Sequence, residues 1–408
     1  DDNHNKPSLD ISNYKYVGRD FVVMNKMKMW QGSLGVSAFE GIVSPAYIVC
    51  TIRKKLNSNY LNYLLRSHPF KTFYNRISYG IRVGQWDLRY DDLKTLNLFL
   101  PSREEQDQIV RYLDAKVGKI NKLIKIKQQQ IALLKEKKQA IINQSVTRGL
   151  DPNAPMKDSG IAWIGQIPEG WEVRPIGSFA TVGNGSTPLR SNGRYWDNGT
   201  YPWLNSSYAN YETVDEATDF VTEYAMSQCH LPIVKPQSLI IGLTGQGKTR
   251  GMVSIMNIEA TINQHLAFIT VNEAIVLPRF LRYFLSAMYE YIRMVSDGNG
   301  CTKGGLTCTM IRCMKSIVPS LETQKFILHE LDHAMLLFRE CQEILDREVS
   351  TLTEYRARLI SDVVTGKVDV RGLAVPDTFE EEEENAMDGH PWLAQADEDE
   401  YSVADMEK

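Results

Sequence analysis

An α/β (α+β) fold is predicted: two globular units of mixed strands and short helices, each followed by a long helix. The two long helices are expected to pair as an antiparallel coiled coil. Three observations predict this. Residues 100–151 lie on residues 318–369 at a constant offset of 218 without a gap. In both copies apolar residues recur at steps of three and four over about 40 residues, the seam of a long helix. Ahead of each copy stand short strand-like runs and one amphipathic segment.

In chain order, the first unit occupies residues 1–100. Phe21–Met24 and Ala46–Ile52 read as strands, and Tyr60–Leu65 as a short helix. The first long helix follows over residues 101–150. Ser102 and Glu105 form a capping box behind Pro101, and the seam runs through Leu113, Val117, Ile120, Ile124, Ile131, Leu134 and Ile141. The second unit fills residues 151–318, with strands at Ser238–Leu243 and Leu266–Val271 and a helix at Phe280–Leu285 that resembles the earlier one. Ser320 caps the second long helix, residues 319–370, whose seam is Leu331, Met335, Phe338, Leu345, Val349, Leu352 and Leu359.

The two copies share fourteen identities: Pro101/Pro319, Ser102/Ser320, Glu104/Glu322, Gln106/Gln324, Ile109/Ile327, Leu113/Leu331, Asp114/Asp332, Ile126/Ile344, Leu134/Leu352, Glu136/Glu354, Ile142/Ile360, Val146/Val364, Thr147/Thr365 and Asp151/Asp369. Typical residue frequencies give about three, so this is a duplication.

The composition is globular, with 43% hydrophobic and 24% charged residues. No apolar run approaches the roughly 20 residues of a membrane span, and the opening residues carry no secretory signal pattern. Six cysteines in 408 residues make no disulfide framework, so a reducing cytoplasm is expected. Thirteen acidic residues stand against one lysine in residues 376–408. Removing that −12 from the total of −4 leaves +8 on residues 1–375. The body is mildly basic, and the acidic end from residue 371 on is expected to be disordered.

Two catalytic patterns are weighed and set aside. Gly242–Thr249 matches the P-loop letter for letter, but the chemistry needs a helix beginning at the lysine. Arg250–Met256 reads instead as a turn and a strand. His329-Glu330-Leu331-Asp332-His333 matches a zinc-protease helix, yet the first copy has Arg111 and Ala115 at the histidine positions, so the helix is built without a metal. No metal or cofactor is expected. The lysine-rich face from Lys116 to Lys138 has two readings, a nucleic-acid stripe and the solvated side of a helix, and such runs are more often the second.

Two variable units, each leading into a similar long helix, resemble the specificity subunits of type I restriction–modification systems. The wording agrees: Ser159 through Val173 resembles the opening of a target-recognition domain, Val146 through Asp151 the end of a spacer helix, and Pro101–Gln106 and Pro319–Gln324 the helix starts. The resemblance covers about residues 15–373. It implies two target-recognition domains, each reading one half of a bipartite double-stranded DNA target in the major groove. The helix pair would set the unread gap. It further implies docking of two methyltransferase (modification) subunits and, through the complex, of restriction subunits, with no catalysis and no cofactor in this chain. The first unit lacks a counterpart of Gly160–Val173, and the acidic end lies outside the family pattern.

Contact residues do not carry over by position, so candidates rest on side-chain chemistry. Lys248 and Arg250 suit phosphate or guanine, Gln246 and Gln31 suit adenine, and Lys28, Arg82 and Lys303 suit the backbone. Thr187, Arg190 and Tyr195 lie in a polar, glycine-bearing stretch expected to face DNA. Arg250→Ala is expected to cost DNA binding and spare assembly. Two other readings differ in class: a P-loop nucleotide-binding enzyme, and a non-catalytic coiled-coil adaptor with no preference among duplex sequences.

Overall fold

A computed structural model describes residues 10–52, 55–80, 86–245, 247–297 and 304–374. Arg82, Gln246, Lys303 and residues 375–408 of the acidic end lie outside the described residues. The chain divides into two units, residues 1–131 with 343–408, and residues 132–342.

The first unit opens with β1 (Lys15–Val17), β2 (Val22–Asn25), β3 (Leu34–Val36), β4 (Gly41–Val43) and β5 (Tyr47–Cys50). β2 is the centre of an antiparallel β3-β2-β5 sheet, and β1 pairs with β4. Alternation buries Val22 and Met24 on one face of β2, as a half-covered strand requires. Helices α1 (Ser58–Arg66), α2 (His68–Ile77) and α3 (Tyr90–Leu93) follow. Leu61 and Leu65 of α1 and Tyr74 of α2 join Val22, Met24, Met29 and Leu88 in one core. The long helix α4, Arg103–Arg148, begins here and ends in the second unit.

The second unit carries β6 (Met156–Asp158) paired with β7 (Gln166–Pro168), then β8 (Glu172–Pro175) and β9 (Ala180–Asn184). Next come β10 (Tyr201–Leu204), β11 (Thr213–Val214), β12 (Asp219–Val221), α5 (Glu223–Gln228), β13 (Leu239–Gly242), β14 (Val253–Met256), β15 (Thr261–Ile262) and β16 (Leu266–Val271). Helices α6 (Pro278–Ala287), α7 (Tyr289–Asp297) and α8 (Cys308–Cys313) precede β17 (Lys315–Val318), which pairs with β8. The main sheet has the order β11-β14-β13-β16-β9, and a smaller one the order β12-β10-β15. β13 is buried along its whole length, consistent with its continuous apolar run. The second long helix is α9, Leu321–Val364.

Both long helices start and stop as the sequence requires. Ser102 Oγ accepts from the Glu105 amide and Ser320 Oγ from the Thr323 amide, each at 3.2 Å. Gly149 (φ 77°) and Gly366 (φ 75°) follow the last turns in the left-handed conformation.

Within the first unit, Ile109, Val110 and Leu113 of α4 pack with Leu359, Ile360, Val363 and Val364 of α9. Further along, the Arg356 guanidinium donates to Asn121 Oδ1 at 2.6 Å, and Lys127 pairs with Glu348 at 2.8 Å. Position rises on α4 as it falls on α9, so the pairing is antiparallel. Within the second unit, Ile142 and Val146 share a core with Ile327, Leu328 and Leu331.

The duplication extends to buried hydrogen bonds. Gln106 Oε1 accepts the Asn57 amide at 2.9 Å, and its Nε2 donates to the Pro101 carbonyl at 2.9 Å. Gln324 Oε1 accepts the Leu277 amide at 2.8 Å, and its Nε2 donates to the Pro319 carbonyl at 2.8 Å. Each glutamine ties the start of its long helix to the chain just before α1 or α6. The β3-β2-β5 sheet likewise matches β14-β13-β16, with the same antiparallel pairings. No helix among the described residues is long and apolar enough to cross a membrane.

Candidate nucleic-acid interface

Register decides which loops meet in the second unit. Gly242 of β13 pairs with Leu266 of β16, and Ala267 pairs with Asn184 of β9. The end of β9, the end of β13 and the start of β16 therefore lie at one end of the main sheet. Three connections emerge there: residues 185–200, residues 243–252 and the tight turn 263–265. Gly185 permits the first connection to pass close to β15, because a Cβ there would fall on the Ile262 carbonyl oxygen.

The 185–200 connection carries three predicted residues. Thr187 is half-buried and its hydroxyl donates to Gln264 Oε1 at 2.6 Å. Arg190 is exposed, with its guanidinium 3.7 Å from the Trp196 ring centre and 4.9 Å from that of Trp203, while Asp219 lies 3.4 Å away. Tyr195 stacks on Tyr224 at 5.7 Å, and Arg194 covers the far ring at 4.2 Å. Trp203, Val221 and Ala225 form the small core beneath. Tyr201 of the same layer donates to Glu259 at 3.2 Å, and burial with that neighbouring charge pushes its hydroxyl up to about 12. The aromatic layer fixes two arginines in place, which lowers the entropy lost when they meet a ligand.

The 243–252 connection is not a phosphate loop. No helix starts at Lys248, and the chain proceeds into β14 at Val253. Lys248 is exposed. Helix α7 holds the backbone around it: Tyr289 Oη donates to the Lys248 carbonyl at 2.9 Å, and Arg293 donates to the Gly247 carbonyl at 2.5 Å.

Arg250 departs from the expectation. It is 4% exposed and ion-paired with Asp297. The chain here turns back on the sheet, with the Gly251 amide donating to the Gly242 carbonyl at 2.9 Å. The side chain of Arg250 is thus carried inward, and it braces the loop instead of presenting donors at the surface.

The 263–265 turn escaped the sequence reading. Gln264 and His265 are both exposed. Gln264 Nε2 lies 3.3 Å from His265 Nε2, and His265 Nδ1 lies 2.9 Å from Thr244 Oγ1. A polar chain thus runs Thr187–Gln264–His265–Thr244, linking all three connections. Gln-His between two buried strands has no motif signature, so only the sheet register could have revealed it.

In the first unit, Lys28 and Gln31 are both exposed on the β2–β3 connection, around a single 3-10 turn at Met29–Gln31 closed by Gly32 (φ 86°). The Trp30 and Trp86 rings meet edge-on at 5.2 Å beside it. This connection matches the β13–β14 connection of the second unit by the repeat.

The protein-family model described as the type I restriction modification DNA specificity domain matches residues 168–337. The protein assigned as the MjaX specificity subunit of Methanocaldococcus jannaschii is 26% identical over 325 residues, covering 78% of this chain and 70% of that one. The type I restriction enzyme MjaIX specificity subunit of the same organism is 24% identical over 381 residues, covering 90% and 79%. These matches support a specificity subunit of a type I restriction–modification system. A chain from a solved type I R-M system shares its fold, with a TM-score of 0.67 at 14% identity over 88% of this chain and 85% of that one. As a specificity subunit its role is recognition of a DNA target, and neither the nucleotide-binding enzyme nor the bare adaptor is favoured. The matched span encloses all three connections at the sheet end, together with the start of α9.

Proposed function

We propose that this specificity subunit reads a bipartite duplex through two target-recognition domains, residues 1–100 and 151–318, and catalyses nothing itself. The observation that carries the reading is the convergence of three connections at one end of the main sheet, bearing exposed Arg190, Lys248, Gln264 and His265. Lys28 and Gln31 on the matching connection supply the first domain's surface, and Arg82, Gln246 and Lys303 remain candidates by chemistry. Cations that position on phosphate, beside amides that distinguish base edges, are the two kinds of contact a sequence-specific reader needs.

The long helices, residues 101–150 and 319–370, act as the spacer and as the dock for two modification subunits, with restriction subunits joining through the complex. Leu123, Ile126, Ile344 and Tyr355 in the first unit, and Leu133, Leu336 and Leu337 in the second, are exposed apolar side chains outside the helix seam. Such residues suit a protein partner in a chain that works inside the cytoplasm.

Methylation mapping tests this. The chain is co-expressed with its modification subunit and methylated adenines are located by single-molecule sequencing. A split motif with a fixed gap is expected. A motif with one defined half would restrict reading to one domain, and absence of methylation from an assembled complex would overturn the proposal.

A further inference from the structure

We propose that Gln264 is the adenine reader of the second unit, held in its reading orientation by Thr187 and His265. The inference rests on the DNA-reading role above and names the base.

The 263–265 turn joins β15 and β16, which are buried at Thr261, Ile262, Leu266 and Ala267. The Asn263 amide donates to the Leu204 carbonyl at 3.0 Å, Asn263 Oδ1 accepts the His265 amide at 3.0 Å, and the His265 carbonyl accepts from the Leu243 amide at 2.8 Å. The backbone of the reader is therefore fixed from three sides while its side chain is exposed.

The amide polarity is fixed as well. The Thr187 hydroxyl donates to Gln264 Oε1, so Nε2 is the atom facing the imidazole. An amide nitrogen only donates, which makes His265 Nε2 the acceptor and places the ring proton on Nδ1, directed at Thr244 Oγ1. After these bonds Gln264 keeps one lone pair on Oε1 and one hydrogen on Nε2. That outward pair, an acceptor beside a donor in one plane, complements the N6 amino group and N7 of adenine in the major groove. Guanine offers acceptors at both N7 and O6, thymine an acceptor and a methyl, and cytosine a lone donor, so each leaves Gln264 with an unmatched or repelled atom. Thr187 and His265 act through Gln264 and are positioning residues.

The test uses the full chain bound to its modification subunits and a duplex library with randomised positions. The wild-type complex is expected to select a motif with adenine at one position of one half. Gln264→Ala should flatten that position alone, a loss of roughly 5- to 150-fold in adenine preference. Gln264→Glu keeps the acceptor and removes the donor, and should move the same position to cytosine, which offers a donor there. Thr187→Val, which frees the amide to turn over, should weaken adenine at that position and no other.

An unchanged motif with Gln264→Ala and Gln264→Glu overturns the inference while leaving the DNA-reading role intact. Loss of preference at every position in a folded variant also overturns it, since the turn would then be structural. A wild-type complex that selects no motif removes the DNA-reading role itself, and this inference with it.

Discussion

One residue, Thr249, separates Lys248 from Arg250, and the structure gives the two cations opposite duties. Lys248 is exposed on a loop whose backbone is held by Tyr289 and Arg293. Lys248→Ala should leave unfolding free energy within about 0.5 kcal/mol of wild type, as for most surface changes. It should weaken binding evenly across sequences and lower the slope of log affinity against log salt by about 1, as loss of one phosphate contact does. Arg250 is buried against Asp297, and its Nε has no hydrogen-bond partner among the described residues. Arg250→Ala should cost about 1.5–3 kcal/mol of stability, the range for hydrogen bonds to a charged group. Urea unfolding beside salt-titrated binding separates the two. The sequence placed both side chains in one loop correctly. It could not show that the loop folds back on Gly242, because that depends on a strand pairing formed elsewhere in the chain.

At the scale of elements, the repeat was legible because a helix seam and its caps are local patterns, whereas β2–β5 and β13–β16 pair across intervening strands. The functional roles of the repeated residues were not legible. Gln106 and Gln324 appear in sequence only as an identical pair, yet each is at most 2% exposed and satisfies a backbone amide and a carbonyl at a helix start. Gln324→Ala would leave the Leu277 amide and the Ile275 and Pro319 carbonyls unpaired, at about 2–4 kcal/mol in urea unfolding. Helix α1 makes a second prediction. Tyr63 donates to Asp114 at 2.7 Å, and burial, then the neighbouring carboxylate, pushes its hydroxyl well above the tyrosine range. Burial raises Tyr60 to about 12. Because folding raises these values, the stability they contribute is complete below pH 10 and is lost as pH climbs towards 12. The first unit should therefore unfold together with tyrosinate formation, monitored by circular dichroism and absorbance. Tyr60→Phe, which removes one ionising group, should move that transition to higher pH.

At the scale of the whole chain, the proposed spacer role makes a prediction that base contacts alone do not. α4 and α9 run antiparallel, so any change of length that keeps the seam in register has to be made in both. Seven residues return a helix to nearly the same face, and they add about 10 Å at 1.5 Å per residue. A heptad inserted after Ile131 and another after Gln342, where the chain passes from one unit to the other, should leave both cores untouched. If the helices space two readers along one duplex, the unread gap should grow by about 3 base pairs at 3.4 Å each, while both half-motifs stay as they were. A single-helix insertion is the control. It lengthens one side of the seam alone and should destabilise the pairing without defining a new gap. Mapped methylation motifs from the three chains decide the matter, since an unchanged gap in the doubly lengthened chain would mean that something other than the helix pair sets the distance between the halves.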